Sequence, residues 1–394
     1  MSDSTIDDRF LWLEDVEGED ALGWVRARNA EAEAAWFDTP DFERIRASTL
    51  AILEADDRID VPTRHGERVH NFWTDAEHRR GLLRRTSWDE WVGGDPEWET
   101  VLDVDALCDA EGESWVFGGS ATRRPDRRRA LVSLSPGGSD ASVTREFDLV
   151  ERRFVPAEDG GFVRPLAKGG LTWIDDDTVY VTSDFGPGSL TRSGYPRTVR
   201  RWRRGTPIED AEIVFEGEES DVAVGVSVSH LPGHEHHVVE RAPDFFTTRT
   251  ALLRDGEVID LDLPDDAQMA IFERWLFVLP RSEFFVEADA ADPSDGAATG
   301  DDRAWPGGSL LVIELERFLS GERGFVSLFM PTATTALGDF ACTRTRVVIN
   351  VLDDVRTSLL VATPPTNDPT DASTTDGSTT DGSTTNRSTT RSEE

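Results

Sequence analysis

Short β-rich segments recur between residues 59 and 363, and this recurrence limits the possible folds more than any other feature. The segments are separated by Gly, Pro, Asp and Asn, and helical patterns between them are nearly absent. Many short strands with turn signals favour an all-β sandwich, barrel or propeller, whereas a parallel α/β sheet would need intervening helices. The region is too long for one sandwich. At roughly 40–50 residues per blade, it would form about five to six blades of a β-propeller.

The first 58 residues have a different pattern, which predicts two helices. Thr39-Pro40-Asp41 is typical of a helix start, with an N-cap residue, a proline at the first helical position and an acid in the first turn. Residues at helical spacing fall on one face of each helix. In the first helix they are Leu22, Val25, Ala32 and Trp36, and in the second Phe42, Ile45, Thr49, Ile52 and Leu53.

The last residues, 364–394, are of low complexity. The sequence STTDG stands at 373–377 and again at 378–382, and a degraded copy, STTNR, follows at 383–387. Such a segment cannot bury enough apolar surface to offset the loss of chain entropy on folding. We therefore predict a disordered Ser/Thr/Asp-rich tail, or a linker, after the predicted β domain of residues 59–363.

The chain carries a large acid excess. It has 77 Asp and Glu against 41 Lys and Arg, a formal net charge of −36, and Lys168 is its single lysine. Such a surface repels nucleic acid and anionic membranes. It is typical of proteins that work in high salt, although an acidic protein from a GC-rich mesophile would also prefer Arg to Lys. We favour the halophilic interpretation because the charge exceeds what codon bias requires.

Targeting and redox signals are absent from the sequence. The start, MSDSTIDDRFLW, lacks the basic and apolar regions of a signal peptide, and no run approaches the roughly 18 apolar residues of a membrane span. Cys108 and Cys342 fit no metal or redox spacing. We expect a cytoplasmic protein without structural disulfides, and we assign no cofactor.

Five segments, in this order, resemble the N-terminal half of prolyl oligopeptidase family proteins. The resemblance runs from about residue 8 to residue 362 and is specific because the segments keep the family's order. The segments are FLWLEDVEGEDALGWVRARNAEA (10–32), RVHNFWTDAEHRRGLLRRT (68–86), WETVLDVDAL (98–107), TSDFGPGSLTRSGYPRTVRRWRRGT (182–206) and NVLDDVRTSLL (350–360).

The resemblance implies a two-domain serine peptidase. In the family a seven-bladed propeller covers an α/β-hydrolase domain and admits only short peptides, and the N-terminal helices pack on the hydrolase. The hydrolase carries the catalytic Ser, Asp and His. The 394 residues contain no G-x-S-x-G nucleophile elbow, so we assign no catalytic residue here.

We therefore expect an incomplete propeller, preceded by two helices, that does not cleave peptides alone. It would be a truncated or frameshifted peptidase, or half of a split enzyme. Its expected partners are a separately encoded hydrolase domain or short peptides, and exposed strand edges would favour self-association. The alternative is a stand-alone propeller that acts as a binding or scaffold module.

The loop from Asp184 to Arg197 is the candidate substrate-gating site that the resemblance implies. Gly186 and Gly188 permit backbone conformations closed to other residues. Tyr195 and Arg197 would face the cavity between the domains, where an arginine can bind a peptide carboxylate. The alternative interpretation is a loop that connects strands and only packs.

Three polar clusters contain residue types that can bind metals or transfer protons, but no metal site is predicted. Alternate histidines on a strand share a face, but the cluster fits a hairpin rim better. The acidic stretch 287–302 departs from the EF-hand pattern and favours a solvated insertion, and three consecutive aspartates fit a hairpin turn. The residues concerned are His230, His234, His236, His237, Asp289, Asp292, Asp295, Asp301, Asp302, Asp175, Asp176 and Asp177.

Overall fold

A computed structural model describes residues 8–59, 61–286 and 303–364 of the chain. The chain divides into two compact units, Met1–Phe117 and Gly118–Glu394. This division falls within a strand, so the domain boundaries expected near residues 58 and 363 stay predictions. The expected disordered tail lies outside the described residues except for Pro364. No helix in the described part of the chain has the length and apolar character needed to cross a membrane.

Two helices precede the strands, in agreement with the sequence pattern. They are α1 (Glu19–Ala32) and α2 (Pro40–Leu53), with a 3₁₀ turn at Leu11–Glu14 before them and a π-helical turn at Glu33–Phe37 between them. The Thr39 hydroxyl accepts a hydrogen bond from the Phe42 backbone N–H at 3.2 Å, which confirms the predicted N-cap.

Seven sheets follow in the described residues. Six of them are built from strands that are consecutive or nearly so in the chain, and we call these blades 1 to 6. Blade 1 contains β1 (Thr63–His65), β2 (Arg68–Trp73), β3 (Leu82–Ser87) and β4 (Glu99–Asp103). Blade 2 contains β5 (Trp115–Thr122), β6 (Arg129–Pro136), β7 (Ser142–Asp148), β8 (Arg153–Phe154) and β9 (Val163–Ala167). Blade 3 contains β10 (Gly170–Trp173), β11 (Thr178–Thr182), β12 (Thr198–Arg203) and β13 (Glu212–Glu216).

The remaining blades continue in the same order. Blade 4 contains β14 (Ala223–Leu231), β15 (His234–Ala242), β16 (Arg249–Arg254) and β17 (Glu257–Asp260). Blade 5 contains β18 (Gln268–Phe272), β19 (Trp275–Leu279), β22 (Leu310–Glu314) and β23 (Val326–Phe329), and a separate pair, β20 (Phe284–Val286) and β21 (Arg303–Trp305), lies between β19 and β22 in the chain. Blade 6 contains β24 (Thr335–Cys342), β25 (Val347–Asp353) and β26 (Arg356–Ala362).

Short helices interrupt the strands. They are α3 (Trp88–Gly93), α4 (Val104–Glu111) and α5 (Leu315–Leu319), with 3₁₀ turns at Ala157–Asp159 and Ile208–Asp210. The sequence pattern did not predict them.

The fold is mainly β, with a β-propeller of six blades in the described residues. This number agrees with the estimate from chain length. The seventh blade that the family resemblance implies is not found among the described residues. Blade 6 has three strands, and its edge strand β26 carries the exposed side chains of Leu359 and Val361. Such an edge can pair with another strand, so self-association stays a prediction.

The core of the second unit consists of apolar layers between consecutive blades. Strand β19 shows why, because successive side chains of a strand point to opposite faces. Leu276 and Val278 pack in the layer shared with blade 4, whereas Trp275 and Phe277 pack in the layer shared with blade 6. Both faces are therefore buried, which explains the unbroken apolar run WLFVL.

The loops of blades 3 to 5 lie at two opposite ends because neighbouring strands are antiparallel. We call one the linker end, since the connections between blades lie there together with the β11–β12 and β15–β16 loops. The other, the turn end, holds the β10–β11, β12–β13 and β14–β15 turns. The loop 183–197 joins β11 to β12 and lies at the linker end.

The charge of −36 leads to an expected salt dependence. We expect the melting temperature to rise between about 0.01 M and 1 M KCl, because the Debye length then falls from roughly 30 Å to roughly 3 Å and repulsion between carboxylates is screened. Thermal unfolding followed by circular dichroism measures this. Choline chloride at equal ionic strength is the control, since screening does not depend on the cation. A flat or falling melting temperature would contradict both the repulsion argument and the halophilic interpretation.

Candidate functional site

The first half of the loop from Asp184 to Arg197 is a closed turn. One oxygen of the Asp184 carboxylate, Oδ1, accepts a hydrogen bond from the Gly186 backbone N–H at 2.8 Å and lies 3.2 Å from the hydroxyl of buried Ser189. Gly186 and Gly188 have φ angles of 90° and 82°, a region that favours glycine. The glycines are therefore required by the backbone, as the sequence indicates.

Arg197 holds the end of this loop against blade 3. Its Nε donates to the Gly188 carbonyl at 2.6 Å and its Nη1 to the Gly217 carbonyl at 2.8 Å, while Nη2 lies 2.7 Å from the Glu216 carboxylate. A peptide carboxylate would have to compete with Glu216 for this guanidinium. The structure therefore gives Arg197 a positioning contact, and its predicted contact with substrate stays a prediction.

Tyr195 connects the loop to blade 2. Its hydroxyl donates to the Asp140 carboxylate at 3.0 Å, and the ammonium of Lys168 lies 4.0 Å from the centre of the Tyr195 ring and 3.5 Å from Asp140. Lys168, the single lysine of the chain, thus packs against the Tyr195 ring and helps to hold the candidate loop at blade 2. Cation–π contacts of this kind contribute roughly 0.5–1 kcal/mol at exposed sites.

Four of the five predicted residues line one cavity of about 590 Å³ at the linker end: Asp184, Gly186, Gly188 and Arg197. Tyr195 is not part of its lining. The cavity is also lined by Glu219, which sequence reasoning did not select because no local pattern distinguishes it from the other acids. The structure thus brings together most of the predicted set and places Tyr195 against blade 2.

Arg200 is a further charged residue near the loop that the sequence did not reveal. Its guanidinium lies 3.8 Å from the centre of the Phe185 ring. Its Nε is buried and has no hydrogen-bond partner in the described part of the chain. Burial lowers the pKa of Arg200, because a charged group loses favourable contact with water.

The histidine cluster forms the β14–β15 hairpin, as expected for a hairpin rim. His236 Nε2 lies 2.7 Å from the Glu273 carbonyl, His237 Nδ1 2.7 Å from the Tyr180 hydroxyl, and His230 Nε2 3.1 Å from the Trp173 carbonyl. Within residues 8–59, 61–286 and 303–364, no group of three or more His, Cys, Asp or Glu is placed to hold a metal ion.

The two acidic clusters have different outcomes. Asp175, Asp176 and Asp177 occupy the turn between β10 and β11, and the Asp177 backbone N–H donates to Asp175 at 2.8 Å. This confirms the hairpin turn. The acidic stretch 287–302 lies outside the described residues.

Comparison with known proteins identifies the class of the fold. Residues 1–231 match a family model described as the N-terminal β-propeller domain of prolyl oligopeptidase. The chain is 32% identical over 354 residues to an uncharacterized peptidase of Sinorhizobium fredii, covering 87% of this chain and 47% of that protein. It is 25% identical over 370 residues to an uncharacterized peptidase of Rickettsia prowazekii, with coverages of 89% and 49%.

A solved structure agrees with these sequence matches. The structure of a post-proline cleaving enzyme from Rickettsia typhi superposes with a TM-score of 0.78 at 25% identity, covering 90% of this chain and 51% of that one. The chain belongs to the prolyl oligopeptidase family, in its N-terminal propeller region. It spans about half the length of the curated relatives it matches.

Proposed function

We propose that the chain is the propeller part of a prolyl oligopeptidase-type serine peptidase and acts with an α/β-hydrolase region in the cleavage of short peptides. Family membership and relatives named as peptidases support this proposal. The 394 residues contain no G-x-S-x-G elbow, so the nucleophile and the oxyanion hole would come from the hydrolase region. Residues 1–394 alone would then be inactive.

The observation that carries this proposal is the exposed apolar surface of the N-terminal helices. Helix α2 buries no residue, and α1 buries only Ala21. We call the exposed set the helix surface: Trp12, Trp24, Trp36, Phe37, Ile45, Ile52 and Leu53. Large exposed apolar side chains in such number on a folded chain are typical of an interaction site, and the hydrolase region is the partner that the family resemblance implies.

A second exposed aromatic pair lies on the β15–β16 loop, at the linker end of blade 4. Phe245 is 86% exposed and Phe246 75%. Their loop is held by Asp244, whose Oδ1 accepts hydrogen bonds from the backbone N–H groups of Phe246 at 2.7 Å and Thr247 at 3.0 Å. Because this loop is held by hydrogen bonds and exposes two aromatic rings, it could contact a partner at the linker end.

The loop from Asp184 to Arg197 lies at the same end. We assign it to the gating of peptide entry, with Arg197 and Tyr195 as its anchors to blades 3 and 2. Its contacts at both ends support a defined loop conformation, and the cavity of about 590 Å³ gives it a free surface for a ligand.

Substitution of Trp36 tests the helix surface. We expect Trp36→Ser to weaken binding of the hydrolase region about tenfold or more, because buried tryptophans are frequent hot spots of interfaces. The measurement is titration of residues 1–394 with the unmatched half of the Sinorhizobium fredii relative, once circular dichroism shows that this half is folded. Trp36 is 73% exposed, so the substitution should leave the melting temperature of the free chain nearly unchanged.

Val150→Ser is the matched control. Val150 is 58% exposed and lies in the turn between β7 and β8, so its substitution should leave binding unchanged. Equal binding by Trp36→Ser and the unmodified chain would contradict the role of the helix surface. Absence of any binding, with both partners folded, would instead favour the stand-alone binding or scaffold module.

A further inference from the structure

A second cavity at the linker end opens among blades 4, 5 and 6. It has a volume of about 470 Å³ and is lined by parts of β15 and β16, of β18 and of β24. Its lining includes the carboxylates of Glu240 and Asp339 and no Lys, Arg or His. Met269 and Phe340 supply apolar wall. The cavity is separate from the one that contains the candidate gating loop.

The carboxylate of Glu240 has no cation beside it. No hydrogen bond or ion pair joins its side chain to another residue in the described part of the chain, although neighbouring arginines are present. Those arginines are already paired: Arg241 binds Asp221 at 2.9 Å, and Arg249 binds Asp265 at 2.9 Å. Glu240 keeps an exposed surface, and partial burial of its carboxyl raises its pKa, because the charged form loses some contact with water.

Thr250 gives a second and independent indication of a ligand. It is 9% exposed and lines the cavity, yet its hydroxyl makes no hydrogen bond with any described residue. Thr250 lies directly opposite Glu240 in the β15–β16 register, and side chains in such pairs share one face of the sheet. On its other side Glu240 pairs with Gly225 of β14, which has no side chain to fill the space.

Blade 6 contributes the second carboxylate. Asp339 follows an irregularity in the β24–β25 register at Gly338, and among the described residues its Oδ1 accepts a hydrogen bond only from the Phe340 backbone N–H, at 2.7 Å. The side-chain oxygen of Asn350, the strand partner of Asp339, is buried and has no partner among the described residues. Asn350 is not part of the cavity lining, which therefore holds two carboxylates, of Glu240 and Asp339, and no cationic side chain.

We propose that this cavity binds a cationic side chain of a peptide, with the guanidinium of arginine as the best fit. A guanidinium has five N–H donors in a planar fork, which suits two carboxylates and a threonine hydroxyl, and hydrogen bonds between charged groups are the strong ones. The identity of the ligand as a peptide rests on the proposed function, but binding itself requires no hydrolase region. The propeller would thereby favour peptides that carry arginine.

Direct binding to residues 1–394 tests the proposal. The probe is N-acetylarginine amide, titrated at the lowest KCl concentration at which circular dichroism shows the native fold. N-acetylcitrulline amide has nearly the same shape without the charge. We expect the citrulline compound to bind at least about tenfold more weakly, since charge-assisted hydrogen bonds are roughly twice as strong as neutral ones.

Variants locate the binding and separate it from general attraction to an acidic protein. Glu240→Gln and Asp339→Asn should each weaken binding about tenfold, and Thr250→Val should weaken it to a smaller degree. Glu257→Gln removes the same charge from an exposed position in β17 and should leave binding unchanged. Melting temperatures show whether each variant is folded.

Two results would overturn the proposal: equal affinity for the arginine and citrulline compounds, or equal losses in Glu240→Gln and Glu257→Gln. A propeller that binds the arginine compound but fails to bind any hydrolase region would retain this inference and contradict the proposed function. The two claims are therefore tested separately.

Discussion

Replacement of Arg164 by leucine is expected to lower the free energy of unfolding by about 3–5 kcal/mol, because several buried carbonyls would lose their donor and each unsatisfied buried group costs roughly 1–3 kcal/mol. Arg164 is completely buried. Its Nη2 donates to the carbonyls of Ser142 at 3.0 Å and Gly169 at 3.1 Å, and its Nη1 donates to the carbonyl of Ala167 at 3.0 Å. Leucine would fill part of the space but would leave these buried carbonyls without a donor.

No acidic residue in the described part of the chain pairs with the guanidinium of Arg164. Every hydrogen bond of its guanidinium ends on a backbone carbonyl or a hydroxyl. Burial lowers its pKa to about 10, so the group remains protonated at neutral pH. The network fixes the turn between β9 and β10, which contains Lys168, and Lys168 contacts Tyr195 of the candidate gating loop. Arg164 therefore connects the stability of blade 2 to the position of that loop.

Chemical unfolding in about 1 M KCl, where surface charges are screened, measures the effect. Arg164→Lys should cause an intermediate loss, because an ammonium has three donors where a guanidinium has five. Arg153→Leu removes a guanidinium from an exposed position in the neighbouring strand β8 and should change stability by less than about 0.5 kcal/mol. Similar losses in Arg164→Leu and Arg153→Leu would show that the buried network contributes little.

The strands could be predicted because their signals are local. The run Trp275–Leu279 is apolar at every position, and it forms β19 with the bounds that the pattern indicates. The N-cap at Thr39 is similarly local. Helix α3 was missed although Ser87 and Glu90 have the spacing of a capping box, and both of its hydrogen bonds form. The capping-box spacing is visible in the sequence, but the β-rich segments on both sides favoured a prediction without a helix there.

The contacts of the candidate sites could not be predicted because they join distant residues. Tyr195 binds Asp140, 55 positions earlier, and Arg197 binds the Gly217 carbonyl, 20 positions later. The pattern that predicts substrate contact for Arg197 contains no information about Glu216. Likewise, the unpaired state of Glu240 depends on which acids its neighbouring arginines bind, and only the packed structure decides that.

The second large effect expected concerns catalysis. Residues 1–394 should show no peptide hydrolysis alone, because they contain no nucleophile elbow and because a serine hydrolase without nucleophile and oxyanion hole retains no covalent route. Addition of a hydrolase region should produce turnover above that of the hydrolase region alone. The propeller would contribute by positioning and selecting the peptide, which affects the rate through the geometry of the bound substrate.

Hydrolysis of a short chromogenic proline-containing peptide in molar KCl, by the chain alone and with the unmatched half of the Sinorhizobium fredii relative as the proposed hydrolase region, tests the central claim most directly. The account predicts no turnover by the chain alone, and with the hydrolase region an increased turnover that a serine-reactive phosphonate abolishes. Turnover by the highly purified chain alone, blocked by the same phosphonate, would contradict the assignment of this chain as the propeller part of the enzyme.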